Sequence, residues 1–467
     1  MLRSSHAIFT NEFSGDLPLP ALPAAELDPD LQANAALGRS AMRKATWRLI
    51  PLIAFGYGAA YMDRVNISFA SLRMNADLHF SNTVYGVGAG LFFLSYAACE
   101  IPSNLLLYRF GARRWLARIM LTWGLLAMAM MFVRSPVQFY AMRFLLGMAE
   151  AGFFPGVLYY LTQWFPAQMR ARTISRFYVA LPLSSVVMGG VAGAILNLDG
   201  WLGLHGWQWL FVLEGLPAVL LSAVFLNCLP DSPKKAAWLT EPERDWIESR
   251  LAAEGEDVPG GHATGIGSAL KDVRVWLFGA VNLLMLGVSY GYTFSAPAIL
   301  QNLTHFTAGQ VGYIISGIGL LGAAGMLGNA WLADRSGKRY LYIAAPAVLE
   351  SAFFVLVALT LNPWIAIPGF ALMFFCHNAL QGPLLATPTM FLKGKGAAAG
   401  LATINMVGIL GGVLFPPLMG WLRDRTGDYQ MGLGVLGVTM LAAAGVVLAL
   451  RSQSRRRMLE IAAHVSL

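Results

Sequence analysis

The chain carries one basic segment twice, as NLLLYRFGARR at residues 104–114 and as AWLADRSGKR at residues 330–339. Each copy lies between two long apolar stretches and has the same place in its half of the chain. A segment that recurs in this way predicts a duplicated helical unit. The two copies therefore indicate a fold of two related halves.

The apolar stretches around these segments are long enough to cross a membrane. Hydrophobic residues make up 57% of the 467 residues and charged residues only 12%, about half the charged share of an ordinary soluble domain. This composition excludes an ordinary soluble enzyme, and a spanning helix needs about 20 apolar residues. We predict an all-α integral membrane protein whose twelve transmembrane helices form two pseudo-symmetric six-helix bundles. The predicted spans are 48–70, 84–108, 115–134, 137–160, 173–197, 208–229, 274–299, 311–333, 340–361, 364–390, 397–420 and 429–450.

The longest break in the apolar pattern separates the sixth span from the seventh. It contains Thr240-Glu241-Pro242-Glu243, which has the spacing of a capping box and predicts a short amphipathic helix ending near Ala253. Within the N-terminal tail, Met42 is an alternative translation start. The predicted segments are a disordered cytoplasmic tail at 1–45, an N-terminal bundle at 46–229, a cytoplasmic inter-bundle loop at 230–273, a C-terminal bundle at 274–451 and a cytoplasmic tail at 452–467.

Basic residues are distributed unequally between the two predicted sides of the membrane. Twenty-seven of the 33 Lys and Arg residues fall on the side of the termini and four on the other side. Because Lys and Arg accumulate in cytoplasmic loops, both termini are expected in the cytoplasm. These clusters account for the formal net charge of +8, so nucleic acid is not an expected partner. His377 is the one histidine inside a predicted span, so no metal site is predicted.

The repeated segment and the six-plus-six arrangement resemble the major facilitator superfamily, whose loop signature is G-x-x-x-D-R-x-G-R-R. The resemblance covers residues 46–451, and in the family this loop helps to latch one conformation. The implied latch residues are Arg109, Gly111, Arg113, Arg114, Asp334, Arg335, Gly337, Lys338 and Arg339. The first copy departs from the pattern, because Tyr108 stands where the family has an acidic residue. Alternatively, these basic residues only set the membrane orientation.

Two further segments are similar to the anion:cation symporter branch of that superfamily: YMDRVNISFA at residues 61–70 and RFLLGMAEAGFFPG at residues 143–156. Residues 206–215 (GWQWLFVLEG) and 229–233 (LPDSP) are similar to bacterial organic-acid permeases for tartrate, phthalate, 4-hydroxyphenylacetate and sugar acids. The resemblance implies a monomeric carrier in the cell inner membrane that moves an organic anion with protons by alternating access. Its energy source would be the proton gradient, with no cofactor.

Ionisable side chains inside apolar spans are costly, so they mark functional positions. Arg143 and Glu150 are separated by two helical turns, which places them on one face, roughly 10 Å apart along the axis. Asp63 and Arg64 are adjacent in the first span. An arginine offers forked donors that match a carboxylate, whereas a buried acid can exchange a proton when its surroundings change.

The resemblance and this chemistry imply that Arg64 and Arg143 bind the substrate carboxylate and that Asp63 and Glu150 couple protons. The alternative is a permanent ion-pair network that only fixes the helices. Packing is likewise the alternative for the other expected substrate-lining residues, which are Tyr61, Tyr96, Tyr290, Tyr292, Asn378, Gln381 and Asn405. Among the remaining ionisable residues of the spans, inter-helix hydrogen bonding is favoured for Glu100 and Glu214, packing for His377, and no role is assigned to Glu350.

These observations favour a secondary active transporter that imports a small organic carboxylate of the tartrate, sugar-acid or aromatic-acid class by proton symport. The chain contains no G-x-x-x-x-G-K-[ST] phosphate loop, so an internal ATPase is not indicated. Proton-coupled efflux of aromatic or drug-like compounds is the alternative within transport. A membrane enzyme or sensor is disfavoured, since the chain has no H-E-x-x-H metal motif.

Overall fold

The computed structural model describes residues 29–178, 180–256, 271–360, 362–388 and 394–465, and nearly all of these residues are helical. The helices are α1 (Pro29–Asp77), α2 (Asn82–Phe110), α3 (Ala112–Ala129), α4 (Pro136–Glu150), α5 (Phe153–Thr162), α6 (Ala167–Tyr178), α7 (Ala180–Leu196), α8 (Gly206–Cys228), α9 (Glu241–Glu256), α10 (Val273–Thr304), α11 (Ala308–Ser336), α12 (Arg339–Leu359), α13 (Pro363–Ala386), α14 (Gly394–Thr426) and α15 (Gln430–Val465). Short 3-10 turns occur at Met130–Phe132, Trp201–Gly203 and Pro233–Lys235.

In the described ranges, ten helical segments are long and apolar enough to cross a membrane, and one of them is the α4–α5 pair. The two other predicted spans fall on α1, where Asp63 and Arg64 interrupt the apolar sequence, and on α7, whose apolar part Leu183–Leu196 is shorter. The prediction of an all-helical, multi-pass membrane fold is confirmed.

Buried apolar side chains form two clusters, one for each half of the chain. The first cluster is built from α1 to α9, with three side chains from the second half. The second cluster is built from α10 to α15. Each half therefore has its own core, as expected of a duplicated six-helix unit.

Residues 29–45, predicted as part of a disordered tail, are instead the first turns of α1. Ala41, Met42 and Ala45 are buried there. The physical reason is α9, which packs along these turns and covers their apolar side. Residues 1–28 of the predicted tail lie outside the described part of the chain.

Glu243 of α9 fixes this contact between the linker and the first helix. Its carboxylate accepts hydrogen bonds from Ser40 Oγ at 2.7 Å and from Lys44 Nζ at 2.8 Å. It also accepts from the Thr240 backbone N–H at 2.9 Å, as the predicted capping box requires. Burial raises the pKa of Glu243, but the hydrogen bonds from Lys44, Thr240 and Ser40 outweigh it and lower that pKa to about 2.

Because its pKa is lowered, the Glu243 contact is fully present above the ordinary pKa of 4.5 and is lost as the pH falls towards 2. We expect Glu243→Gln to release residues 33–45 from α9 at neutral pH, since the amide loses the charge that Lys44 pairs with. Hydrogen–deuterium exchange of that segment should rise in the variant. As a control, Glu248→Gln on the same helix should leave hydrogen–deuterium exchange of residues 33–45 unchanged. Equal exchange in Glu243→Gln and in the unmodified chain would contradict the contact.

The two bundles touch closely at the face where α1 ends and α2 begins. We call it the termini-distal face, because α1 is 49 residues long and its first residue lies at the opposite face. A Cβ atom on Gly189 would lie 2.3 Å from the carbonyl oxygen of Gly312, and one on Gly420 would lie 2.1 Å from that of Asn82. Helix backbones are thus in direct contact across the bundles. The structure is the arrangement in which the termini-distal side is closed.

Asp424, near the end of α14, adds four hydrogen bonds across this closed face. Its Oδ1 accepts from the backbone N–H and side-chain amide of Asn82 at 3.1 and 2.8 Å. Its Oδ2 accepts from the backbone N–H and hydroxyl of Thr83 at 2.7 and 2.6 Å. A carboxylate at the N-terminus of α2 is also stabilised by the helix dipole.

We expect Asp424→Asn to open the termini-distal face more often, because the amide brings hydrogens against the N–H of Thr83. A cysteine placed at Ser71, which lines a cavity that Asn82 also lines, should then react roughly 5- to 30-fold faster with an impermeant maleimide. That range corresponds to about 1–2 kcal/mol of lost hydrogen bonding. The labelling experiment uses a chain in which the three native cysteines are replaced by serine. Asp428→Asn, four residues away, should leave the rate unchanged, and an unchanged rate in Asp424→Asn as well would refute this role.

Candidate functional site

Four ionisable side chains lie near one another inside the first bundle: Asp63 and Arg64 on α1, and Arg143 and Glu150 on α4. Arg64 donates from Nη2 to Oε1 of Glu150, and the two form an ion pair. Glu150 is buried, with 1% of its surface exposed. The pair joins the first and fourth spans and leaves Glu150 Oε2 without a partner among the described residues.

A break in the fourth span places Glu150 beside α1. The residue is the last of α4, and the chain turns at Ala151 and Gly152 before α5 continues. Gly152 has φ of +86°, and a Cβ there would lie 2.3 Å from Ser103 Oγ. Only glycine suits both the left-handed backbone and this close approach. A predicted continuous span is therefore two helices that meet at the ionisable cluster.

The Arg64 guanidinium lies between Glu150 and two aromatic rings. Its Cζ is 5.3 Å from the centre of the Tyr96 ring and 5.6 Å from that of Phe92. Its side chain keeps 18% of its surface exposed, and Nε has no partner within the described residues. Arg64 thus presents a donor that its ion pair does not use.

Asp63 faces away from Arg64, into the core of the first bundle. It is 1% exposed. Oδ2 accepts from Trp123 Nε1 at 2.9 Å, and Oδ1 accepts from Asn66 Nδ2 at 3.2 Å. Asp63 and Arg64, although adjacent in α1, therefore face different surroundings.

Arg143, like Arg64, packs against the Phe92 ring. Its Cζ is 4.8 Å from the ring centre, and its Nε donates to the Gly88 carbonyl oxygen at 3.4 Å. It is 1% exposed, and Nη2 has no partner in the described part of the chain. Both arginines that are expected to bind the substrate carboxylate therefore contact the same ring of α2.

A central cavity of about 180 Å³ lies between the two bundles. Arg64 is on its wall, and Arg143 is not. The predicted lining residues that the structure brings to this cavity are Tyr61, Tyr96, Tyr290, Asn378, Gln381 and Asn405. Both halves of the chain thus contribute polar groups to one space, which is the geometry of a site that two rocking bundles could share.

Tyr292 is the predicted lining residue that does not reach this cavity. It is buried, lines a smaller adjacent space, and its hydroxyl donates to the Phe370 carbonyl oxygen at 3.5 Å. Residues two apart on a helix point in nearly opposite directions, so Tyr290 and Tyr292 could not both face the cavity.

Several cavity residues were not identified from the sequence. They are Tyr57, Ser185, Ser289 and Thr293, together with Glu100, for which an inter-helix role was favoured. Tyr57, Tyr61 and Arg64 follow the i, i+4, i+7 pattern of a single helix face. That spacing was the signal by which Tyr57 could have been found.

The two repeated loops make separate local contacts. In the first, Arg113 Nε donates to the Leu226 carbonyl oxygen at 2.6 Å. In the second, Arg339 and Asp334 form an ion pair of 3.2 Å. Gly111 and Gly337 have positive φ of 86° and 66°, which explains the glycine of each copy. The latch role of these loops stays a prediction.

The comparison with known proteins agrees with this architecture. A family model described as Major Facilitator Superfamily matches residues 53–416. A putative tartrate transporter of Agrobacterium vitis is 41% identical over 420 residues, covering 89% of this chain and 96% of the relative. The putative metabolite transport protein NicT of Pseudomonas putida is 40% identical, covering 87% and 93%. A quinolone resistance transporter of Acinetobacter baumannii is also 40% identical, covering 86% and 93%.

A solved structure has the same fold. It is a bacterial homologue of the human lysosomal transporter Spinster in an inward-facing, occupied conformation, with a TM-score of 0.70 and 14% sequence identity over 86% of this chain and 96% of that one. At that identity the likeness concerns the fold alone. The family model and the transporter relatives identify a multi-pass membrane transporter rather than an enzyme. The chain belongs to the major facilitator superfamily.

Proposed function

We propose that this transporter imports a small organic carboxylate together with protons, through the central cavity. The observation that carries the proposal is Arg64, a half-buried arginine on the cavity wall whose carboxylate partner Glu150 is also the predicted proton carrier. Three relatives named as transporters of tartrate or metabolites support an organic-acid substrate.

The ion pair suggests how substrate and proton would be coupled. A substrate carboxylate that binds Arg64 would compete with Glu150 for the same guanidinium. Glu150 without its ion-pair partner would be a buried carboxylate, and burial favours the protonated form. Substrate binding and proton binding would therefore assist each other. Asp63, held by Trp123 and Asn66, would be the second proton-binding carboxyl of this bundle.

The shape of the cavity favours a small anion. Its volume of about 180 Å³ is below the roughly 300–1,000 Å³ of sites for drug-sized ligands. Aromatic walls from Tyr57, Tyr61, Tyr96 and Tyr290 would pack against a sugar-acid or aromatic-acid skeleton. Arg143 is outside the lining of this cavity and would reach the substrate only after a conformational change.

We place the protein in the cell inner membrane with both termini in the cytoplasm, on the basis of the loop charges. The closed termini-distal face is then the outer one, and the described conformation is inward-facing. We further propose that the transporter acts as a monomer and draws on the proton gradient without a cofactor.

Proton-coupled efflux of aromatic or drug-like compounds is the second candidate function. The observation in its favour is the quinolone resistance transporter, which is 40% identical. Efflux predicts proton-driven accumulation of a quinolone in inverted vesicles, whereas import predicts accumulation of an acid in right-side-out vesicles.

Uptake by proteoliposomes tests the proposal. The panel is labelled tartrate, galactonate, glucarate, phthalate and 4-hydroxyphenylacetate, each with and without an inward proton gradient. Import by symport predicts that the gradient stimulates uptake of one acid and that a protonophore removes the stimulation. Uptake of an acid that does not respond to the gradient would contradict proton coupling, and no uptake of any acid would favour efflux.

A further inference from the structure

A buried pair of ionisable side chains in the second bundle has no part in the function described so far. Glu350 of α12 and His377 of α13 face each other, with Oε1 of the carboxyl 3.1 Å from Nδ1 of the imidazole. Their exposed fractions are 1% and 6%. The two residues are 27 positions apart in the sequence, so the helical hairpin of the ninth and tenth spans brings them together.

The pair lies at the depth of the ionisable cluster in the first bundle. Pro136 begins α4 and Pro363 begins α13, the fourth spanning helix of each half. Glu150 and His377 each follow fourteen residues after that proline. In the duplicated fold, His377 therefore stands at the position that Glu150 occupies in the first bundle.

Each partner keeps one polar atom without a hydrogen bond. Within the described residues, Glu350 Oε2 and His377 Nε2 are buried and have no partner. A purely structural pair would be expected to satisfy such atoms, because an unpaired buried polar group is costly. These two atoms are instead available to a proton or to water that enters during a conformational change.

The groups that face the pair add no fixed charge. Tyr292 of α10 is close enough to Glu350 to interact with its charge, and Cys376 precedes His377 on α13. The neighbouring helix α15 contains no Asp, Glu, His, Lys, Arg, Cys or Tyr from residue 431 to residue 450. At this level α11 meets α13 through Gly322 and Gly325. The proton content of the pair therefore sets the local charge.

Tyr292 connects the pair with the transport pathway. Its ring lines the small space next to the central cavity and stacks on Phe370 at 5.4 Å. A movement of this ring would let water reach Glu350 from the cavity side. This gives Tyr292, displaced from its predicted substrate-lining role, a position between the cavity and the pair.

We propose that Glu350 and His377 form a further proton-binding site of the transport cycle, located in the second bundle. With one proton between the carboxyl and the imidazole the pair is neutral, which suits its buried state. When water reaches it, the pair releases that proton and leaves a carboxylate beside a neutral imidazole. This inference rests on the proposed proton symport. It predicts one more transported proton per substrate than the carboxyls of the first bundle supply.

The number of protons carried per substrate tests the proposal. The measurement uses proteoliposomes and the acid of the panel that shows the largest uptake. The proton-to-substrate ratio is calculated from the pH gradient at which a fixed gradient of this acid causes no net transport. We expect Glu350→Gln and His377→Gln to lower the proton-to-substrate ratio by one, while exchange of labelled for unlabelled acid continues. The exchanged pair, Glu350→His with His377→Glu, should restore the ratio. Cys376→Ala, at the same depth, should keep the ratio of the unmodified chain.

A merely structural role would change expression or transport rate and leave the ratio unaltered. An unchanged ratio in either folded single variant would therefore overturn the proposal. A proton-independent unmodified transporter would overturn the symport proposal itself, and that failure is visible before any variant is made.

Infrared spectroscopy of the purified protein gives a readout that needs no substrate. Across a pH jump, the change in carboxyl stretching absorption of the unmodified chain is expected to contain a component that is absent in Glu350→Gln. A change in carboxyl absorption that is identical in the variant and in the unmodified chain would contradict proton exchange at Glu350.

Discussion

Arg64→Ala is expected to weaken binding of the transported acid by about 10- to 100-fold. The reason is that a charge-assisted hydrogen bond contributes about 1.5–3 kcal/mol, and Arg64 is the one guanidinium on the wall of the central cavity in the described chain. Direct binding of the labelled acid to purified protein measures the effect. Arg64→Lys should recover only part of the affinity, because lysine supplies a compact charge without the forked donors.

Two comparisons make this prediction specific to the cavity. Arg73 lies on the same helix as Arg64 but is exposed, near the end of that helix. The Arg73→Ala variant should therefore bind the acid normally. The profile of each variant in size-exclusion chromatography separates lost binding from lost folding, since Arg64→Ala also leaves Glu150 without its cation. Normal affinity in a folded Arg64→Ala variant would falsify the substrate-binding role.

Glu150→Gln is expected to separate substrate movement from the proton gradient. Glutamine can accept a hydrogen bond from Arg64 but cannot gain or lose a proton in this pH range. Exchange of labelled for unlabelled acid should therefore persist, whereas accumulation driven by an inward proton gradient should fall well below that of the unmodified chain. Both fluxes are measured in the same proteoliposomes.

The matched control for this variant is Glu214→Gln, which changes another buried carboxyl of the first bundle outside the central cavity. It should retain gradient-driven accumulation. If Glu150→Gln accumulated the acid as well as the unmodified chain does, Glu150 would not be the coupling residue. The ion pair with Arg64 would then be one that only fixes the two helices.

The helices and the ionisable cluster could be predicted from the sequence because both depend on local information. Hydropathy identifies apolar spans, and the spacing of Arg143 and Glu150 indicates a shared helix face. Which face meets the cavity depends on neighbouring helices. Arg143 packs against Phe92 of α2 and does not line the central cavity, and no local pattern in α4 indicates this.

Contacts between distant parts of the chain explain the other differences. The first turns of α1 are helical because α9 covers them, and Glu243 bonds to residues about 200 positions away. The pairing of Glu350 with His377 likewise needs the packing of two helices. Sequence reasoning identified each of these ionisable residues but could not pair them.

The glycine contacts between the bundles set a mechanical limit on closure. The backbones of Gly189 and Gly312 are in contact without intervening side chains. The two helices therefore cannot approach further, because no change of side-chain rotamer can shorten a backbone contact. The end point of closure on the termini-distal side is then the same whatever acid occupies the cavity. Discrimination between acids of different length would have to arise on the other side of the cavity, where the walls can still adjust.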